Sequence, residues 1–126
     1  MKVEYPITFF YYKDLQTVLP FYRDILQFEL AVDQGWCKIL RVSPTAYIGL
    51  VNEAKGSLKA TADKPVLFTL VVDDVDAWYA YLQTKGVCLL GEPVLHTDIG
   101  VYAFFLQDPS GYRLEIQQFI QEPTSG

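Results

Sequence analysis

Glu115 closes the stretch Asp108-Pro109-Ser110-Gly111-Tyr112-Arg113-Leu114-Glu115-Ile116, a turn-forming tetrad that feeds an alternating strand. A carboxylate on such a strand can ligate a metal ion, take up a proton or accept hydrogen bonds, and its partners decide which. Arg113 and Gln117 share its face by strand alternation, so a cation and an amide flank it. On residue types alone, these three alternate with Tyr112, Leu114 and Ile116 and read equally well as a solvated strand face. Other reactive types are sparse. His96, the single histidine, lies in the loop Leu95-His96-Thr97-Asp98, where an imidazole can move a proton near neutral pH or simply face water. Cys37 and Cys88 have neither CxxC spacing nor neighbouring histidines, which argues against zinc and reads as two buried thiols.

The elements that must hold these residues follow from periodicity. Tyr5–Tyr12 is rich in aromatic and β-branched residues and reads as a strand. Leu15, Val18, Leu19, Tyr22 and Leu26 recur at helical spacing behind Asp14, an N-cap residue, although Pro20 must kink this helix or delay its regular part. Phe28–Val32, Trp36–Val42 and Ala46–Val51 read as an antiparallel meander. After a Lys, Ala and Gly-rich connection the pattern restarts with a strand at Val66–Val72. Asp74 then caps a helix with Val75, Trp78 and Leu82 on one face, Lys85 in its last turn and Gly86 as its stop. Cys88–Leu90, Val101–Leu106 and Tyr112–Phe119 complete the second set of strands. A constant offset of 60 residues lays Ile7 on Leu67, Asp14 on Asp74 and Phe21-Tyr22 on Tyr81-Leu82, so the chain repeats strand, helix and three strands.

Composition narrows the class of function. The 126 residues are 51% hydrophobic, enough to fill a core, and carry a net charge of -5 without a basic stripe. This argues against nucleic acid and anionic membrane as partners. The longest apolar runs are too short to span a bilayer, and no signal segment is apparent, so a cytoplasmic protein is expected.

Four fragments in order carry a family resemblance: Lys13-Asp14-Leu15, Phe21-Tyr22-Arg23-Asp24-Ile25-Leu26-Gln27-Phe28, Asp73-Asp74-Val75, and Asp108-Pro109-Ser110-Gly111-Tyr112 with Glu115. Together they resemble the vicinal oxygen chelate superfamily of glyoxalases, bleomycin-resistance proteins and extradiol dioxygenases, over Tyr5 to Phe119. The resemblance implies an α+β fold in one domain over 1–126. Two βαβββ modules, over 5–51 and 66–119, would form a curved, cup-like mixed sheet with helices outside and ligands inside. Residues 52–65 would connect them, and 120–126 would be a frayed tail.

In metal-dependent members two positions from each module hold the ion. Carried over, they fall on Ile7, Gly49, Leu67 and Glu115, and three of these have no side-chain donor. Shifting the alignment by one residue brings in Thr8, Pro6, Ile48, Leu50, Val66 or Phe68, which restores no site. The resemblance therefore points to metal-independent members with no cofactor; a metal-dependent glyoxalase or dioxygenase would need a different alignment. Alternation then gives the cup lining. Phe9, Tyr11 and Thr69 face inward with Ile7 and Leu67, Arg113 and Gln117 with Glu115, and Tyr47 flanks Gly49, whose missing side chain would enlarge the cup. Trp36 would line or cover it, although strand aromatics and a tryptophan also serve as ordinary core.

Two function classes follow. The first is a binding protein that sequesters a small, partly aromatic molecule, as the drug-sequestering, antibiotic-resistance members do, working as a homodimer by the same resemblance. The second is a lyase or isomerase-like enzyme with Glu115 as general base and Arg113 holding an anionic substrate. It would need a partner group, for which Tyr11, Tyr47 and Tyr102 are the candidates. A ferredoxin-like dimeric barrel would explain the alternating elements but not the Asp-Pro-Ser-Gly turn.

Overall fold

A computed structural model describes residues 1–120, so the tail expected over 120–126 lies outside it except for Ile120. The chain divides into two compact units, Met1–Ala62 and Asp63–Gly126.

In the first unit Asp14 starts a helix as its residue type requires, its carboxylate accepting from the Gln16 amide at 2.9 Å. The helix, α1, runs Leu15–Pro20 and ends where the proline removes an amide donor. The chain does not leave the helical path there. It widens into a π-type turn over Phe21–Ile25, closed by Leu26 N–H donating to the Phe21 carbonyl at 3.0 Å. Gln27 then takes a left-handed φ of 63°, which turns the chain into the sheet. Pro20 thus marks a change of helical register, and regular helix precedes it. Strands β1 (Ile7–Tyr12), β2 (Glu29–Asp33), β3 (Cys37–Ser43) and β4 (Ala46–Asn52) form a sheet in the order β1-β4-β3-β2, with β1 parallel to β4 and the other pairs antiparallel. Leu40, Ile48, Leu50, Phe10 and Tyr12 fill one face, and α1 lies against β4.

The second unit repeats the plan. Strand β5 (Leu67–Val71) leads to α2 (Val75–Gln83), capped by the Asp74 carboxylate accepting from Ala77 N–H at 3.0 Å and followed by Gly86 at φ 69°. Strands β6 (Cys88–Leu89), β7 (Val94–His96), β8 (Val101–Gln107) and β9 (Arg113–Phe119) complete a five-stranded sheet. Its main order is β5-β9-β8-β6, with β5 parallel to β9. Four strands follow α2 instead of the three expected. Gly91 at φ 115° and Pro93, which has no amide, interrupt one edge, so β6 and β7 pair with β8 at separate places. His96 is consequently the last residue of a strand, paired with Val101, and not a loop residue. Ile7 and Leu67 each begin their first strand, Asp14 and Asp74 each cap a helix, and Tyr22 and Leu82 are both fully buried, as the 60-residue offset requires. The fold is α+β, two mixed sheets each carrying one helix on one face.

Candidate functional site

In the first unit, alternation leaves Phe9 and Tyr11 on the face opposite the buried Phe10 and Tyr12. The parallel register sets Phe9 beside Gly49 and Tyr11 beside Val51, and β3 adds Cys37 next to Val51. A cavity of about 480 Å3 opens on this face. Phe9, Tyr11 and Trp36 are its aromatic walls, Cys37 and Val51 its apolar floor, and Gln34, Lys55, Gly56 and Ser57 its polar rim. Phe9 and Trp36 are each 41% exposed, so both rings present surface to a ligand. Burial raises the Cys37 thiol above its ordinary pKa, which keeps it protonated and apolar at neutral pH.

The rim is built by a turn that the sequence presents as plain connection. Asn52 ties it down: its side-chain oxygen accepts from Ala54 N–H at 2.9 Å and its carbonyl from Lys55 and Gly56 N–H at 3.1 Å. Its own amide donates to the Trp36 carbonyl at 2.8 Å, and Glu53 N–H donates to the Tyr12 carbonyl at 2.9 Å. A Cβ on Gly56 would lie 2.6 Å from a Val51 methyl and 2.9 Å from the Tyr11 ring, so only glycine lets the turn close on the aromatic wall. Ser57 Oγ and the Tyr11 hydroxyl then sit 3.2 Å apart. Residues 34, 37 and 55–57 were missed as site residues; the Asn52 and Gly56 pair was the signal.

Gly49 does not enlarge the cavity. A Cβ there would fall 2.5 Å from Phe9 Cε1, because the Phe9 ring already occupies that space. Tyr47 shares the face but does not line the cavity; its ring is 4.8 Å from that of Tyr5 and carries the Arg41 guanidinium at 5.0 Å.

In the second unit Thr69 and Glu115 are register partners, and Thr69 Oγ1 donates to Glu115 Oε1 at 2.9 Å. Leu67, Arg113 and Gln117 share that face, with Phe105 opposite Glu115. Glu115 is 8% exposed, so its carboxylate is a buried acceptor and not part of a solvated face. Tyr102 stands apart from it. Phe104 and Gln118 mark the helix-covered face, through the Tyr79 ring at 5.1 Å and the Val75 amide at 3.1 Å, and Tyr102, two residues from Phe104 and paired with Gln118, shares that face, away from Glu115. Its hydroxyl donates to Asp76 on α2 at 2.6 Å, which raises its pKa. Tyr102 is thereby removed as a ligand group and as a partner for Glu115. Cys88 is exposed, against the expectation of two buried thiols, because β6 is a two-residue edge strand; its Sγ lies 3.9 Å from Gln107 Oε1.

At the four positions that the resemblance gives to a metal ion the donor chemistry does not fit one: Ile7, Gly49 and Leu67 offer no side-chain ligand, which leaves Glu115 alone. Every buried side-chain nitrogen and oxygen among the described residues has a partner, so no orphaned donor marks a seat for one. Nor do three His, Cys, Asp or Glu side chains gather anywhere among the described residues. No helix among the described residues is long and apolar enough to cross a membrane.

Residues 6–116 match the profile of the Glyoxalase/Bleomycin resistance protein/Dioxygenase superfamily, and the chain belongs to that superfamily. Among solved structures, a glyoxalase/bleomycin resistance protein/dioxygenase from Nocardioides aligns with a TM-score of 0.79 at 15% identity, over 100% of this chain and 89% of that one. A lactoylglutathione lyase from Agrobacterium tumefaciens aligns at 0.72 and 22% identity, over 89% and 90%. TioX from Micromonospora sp. ML1 aligns at 0.76 and 13% identity, over 91% and 98%. At such identities the likeness is one of fold. No curated protein matches the chain by sequence.

Proposed function

We propose that this protein binds and sequesters a small, partly aromatic organic molecule, without a metal ion, in the cavity on the first unit. The observation that carries the reading is the cavity itself: three aromatic walls, two of them partly exposed, above an apolar floor with a few hydrogen-bonding groups at the rim. Such a site works by shape and stacking and needs no Lewis acid. The setting is the cytoplasm, where a reducing pool keeps Cys37 and Cys88 as the thiols they are here. The working form is a homodimer. β5 ends its sheet with Leu67 45% and Val71 61% exposed, apolar surface that a second copy would cover, and light scattering reads the mass.

A thermal-shift panel of small aromatic molecules tests the reading. Concentration-dependent stabilisation is expected, unchanged when nickel or zinc is added. Trp36→Ala should weaken any hit by about 2 kcal/mol, roughly thirtyfold in Kd, with little loss of stability because the ring is partly exposed already. Stabilisation that appears only with metal present would sink the metal-independent reading.

The burial of Glu115 favours a second reading, a lyase or isomerase-like enzyme with this carboxylate as general base. Glu115→Gln keeps the oxygen that accepts from Thr69, so it should change stability by less than about 1 kcal/mol and leave binding in the first unit intact. A drop of about 100-fold or more in a measured turnover, at unchanged stability, would instead establish the enzyme.

A further inference from the structure

We propose that the molecule held in this cavity is an aromatic carboxylate, its ring against Phe9 and Trp36 and its carboxylate directed to Lys55. The inference rests on the binding reading above and adds to it the sign of the ligand's charge.

Lys55 is the one charged side chain among the residues that line the cavity, and no carboxylate lines it. Its backbone position is set by the turn anchored through Asn52 to the Trp36 carbonyl, so the Lys55 and Trp36 main chains belong to one hydrogen-bonded assembly. Two acids of this unit make their bonds outside the cavity lining. Glu53 Oε2 accepts from the Ala60 amide at 3.3 Å, and Asp33 Oδ1 accepts from Lys38 at 2.6 Å and from the Gly35 amide at 2.9 Å. Among the residues lining the cavity Lys55 thus has no acidic partner, while Ser57 and Gln34 offer hydrogen-bond donors on the same rim.

The charge distribution points the same way. Residues 63–126 carry three Lys and Arg against nine Asp and Glu, whereas residues 1–62 carry seven against six. The acidic excess of the chain is confined to the second unit, and the unit that holds the cavity is close to neutral. An anion approaching Lys55 therefore meets no excess of like charge within that unit.

One effect opposes the inference, since aromatic faces attract cations. The attraction of a partly exposed ring for a cation is about 0.5–1 kcal/mol, and repulsion from the Lys55 ammonium, of the same order, offsets it, whereas for a carboxylate the Lys55 charge is attractive. A neutral aromatic keeps the stacking and gains nothing from Lys55.

Calorimetric titration with three probes of one shape separates these cases: 2-naphthoate, neutral 2-naphthamide and cationic 2-naphthylmethylammonium. Each is titrated into the wild type, Lys55→Met and Lys55→Arg. Lys55 sits on an exposed turn, so both variants retain the fold. Naphthoate should bind the wild type about five- to tenfold more tightly than the amide, and the ammonium should bind most weakly. Lys55→Met should erase the preference without changing the amide's affinity, Lys55→Arg should keep it, and about 0.5 M salt should narrow it. Equal affinity for all three probes, or a preference for the ammonium, overturns the charge assignment and leaves the binding reading standing. Equal weakening of all three in Lys55→Met also overturns it, because Lys55 would then act by packing. Binding of none of the probes overturns both.

Discussion

Phe104→Ala is expected to lower the unfolding free energy by about 3–5 kcal/mol. Phe104 is 1% exposed at the centre of β8, paired across the ladder with the fully buried Ile116. Its ring meets Tyr79 of α2 edge-on, centroids 5.1 Å apart at 69°. Val75 and Leu82, both fully buried, are the other anchors of α2, which packs on β8 and β9. Removing the ring takes away transfer free energy and leaves a void that a helix pinned at both ends cannot collapse into. Phe104→Leu keeps most of the volume and should cost only about 1 kcal/mol. Urea unfolding checks both. A loss below about 1.5 kcal/mol for the alanine variant would mean that α2 is not docked through this ring.

Asp108→Ala should cost about 2–4 kcal/mol even though the residue belongs to a turn. Asp108 is 4% exposed, and its Oδ1 accepts from the Ser110 amide at 2.9 Å and the Tyr112 amide at 3.0 Å. Its own amide donates to the Tyr112 carbonyl at 2.9 Å, and Gly111 takes φ 96° to close the loop. Alanine would strand the buried Tyr112 amide and leave the partly buried Ser110 amide to water, so the penalty is mainly that of an unsatisfied buried donor and not of one lost contact. Asn keeps an acceptor oxygen, and Asp108→Asn should therefore retain most of the stability. The register of β9, and with it the position of Glu115 opposite Thr69, starts from this turn. Equal stability of the alanine variant and the wild type in denaturant would show that the turn is held by its backbone alone.

The same turn shows how much of the site was legible. Asp-Pro-Ser-Gly announces itself locally, and alternation from Tyr112 onward fixes which residues accompany Glu115. Its partner Thr69 lies 46 residues away and was placed on the matching strand by the 60-residue repeat. Tyr102 was a different matter. Alternation divides β8 into two sets of residues but does not say which set the helix covers, and Phe104 with Tyr79 made that choice.

Local physics determined the parts of this protein that a few neighbouring residues can specify. Asp14 and Asp74 cap helices, Gly86 follows one, Pro20 disturbs another, and two-residue alternation sorts Phe9 and Tyr11 from Phe10 and Tyr12. The absence of metal donors at Ile7, Gly49 and Leu67 was equally plain, because side-chain chemistry does not depend on the fold. Tertiary structure alone decided that the Phe9 ring fills the space over Gly49, and that the 52–57 turn brings Lys55 and Ser57 to Trp36. Both arrangements depend on strand register and on hydrogen bonds between residues distant in sequence, and no local preference encodes such distances.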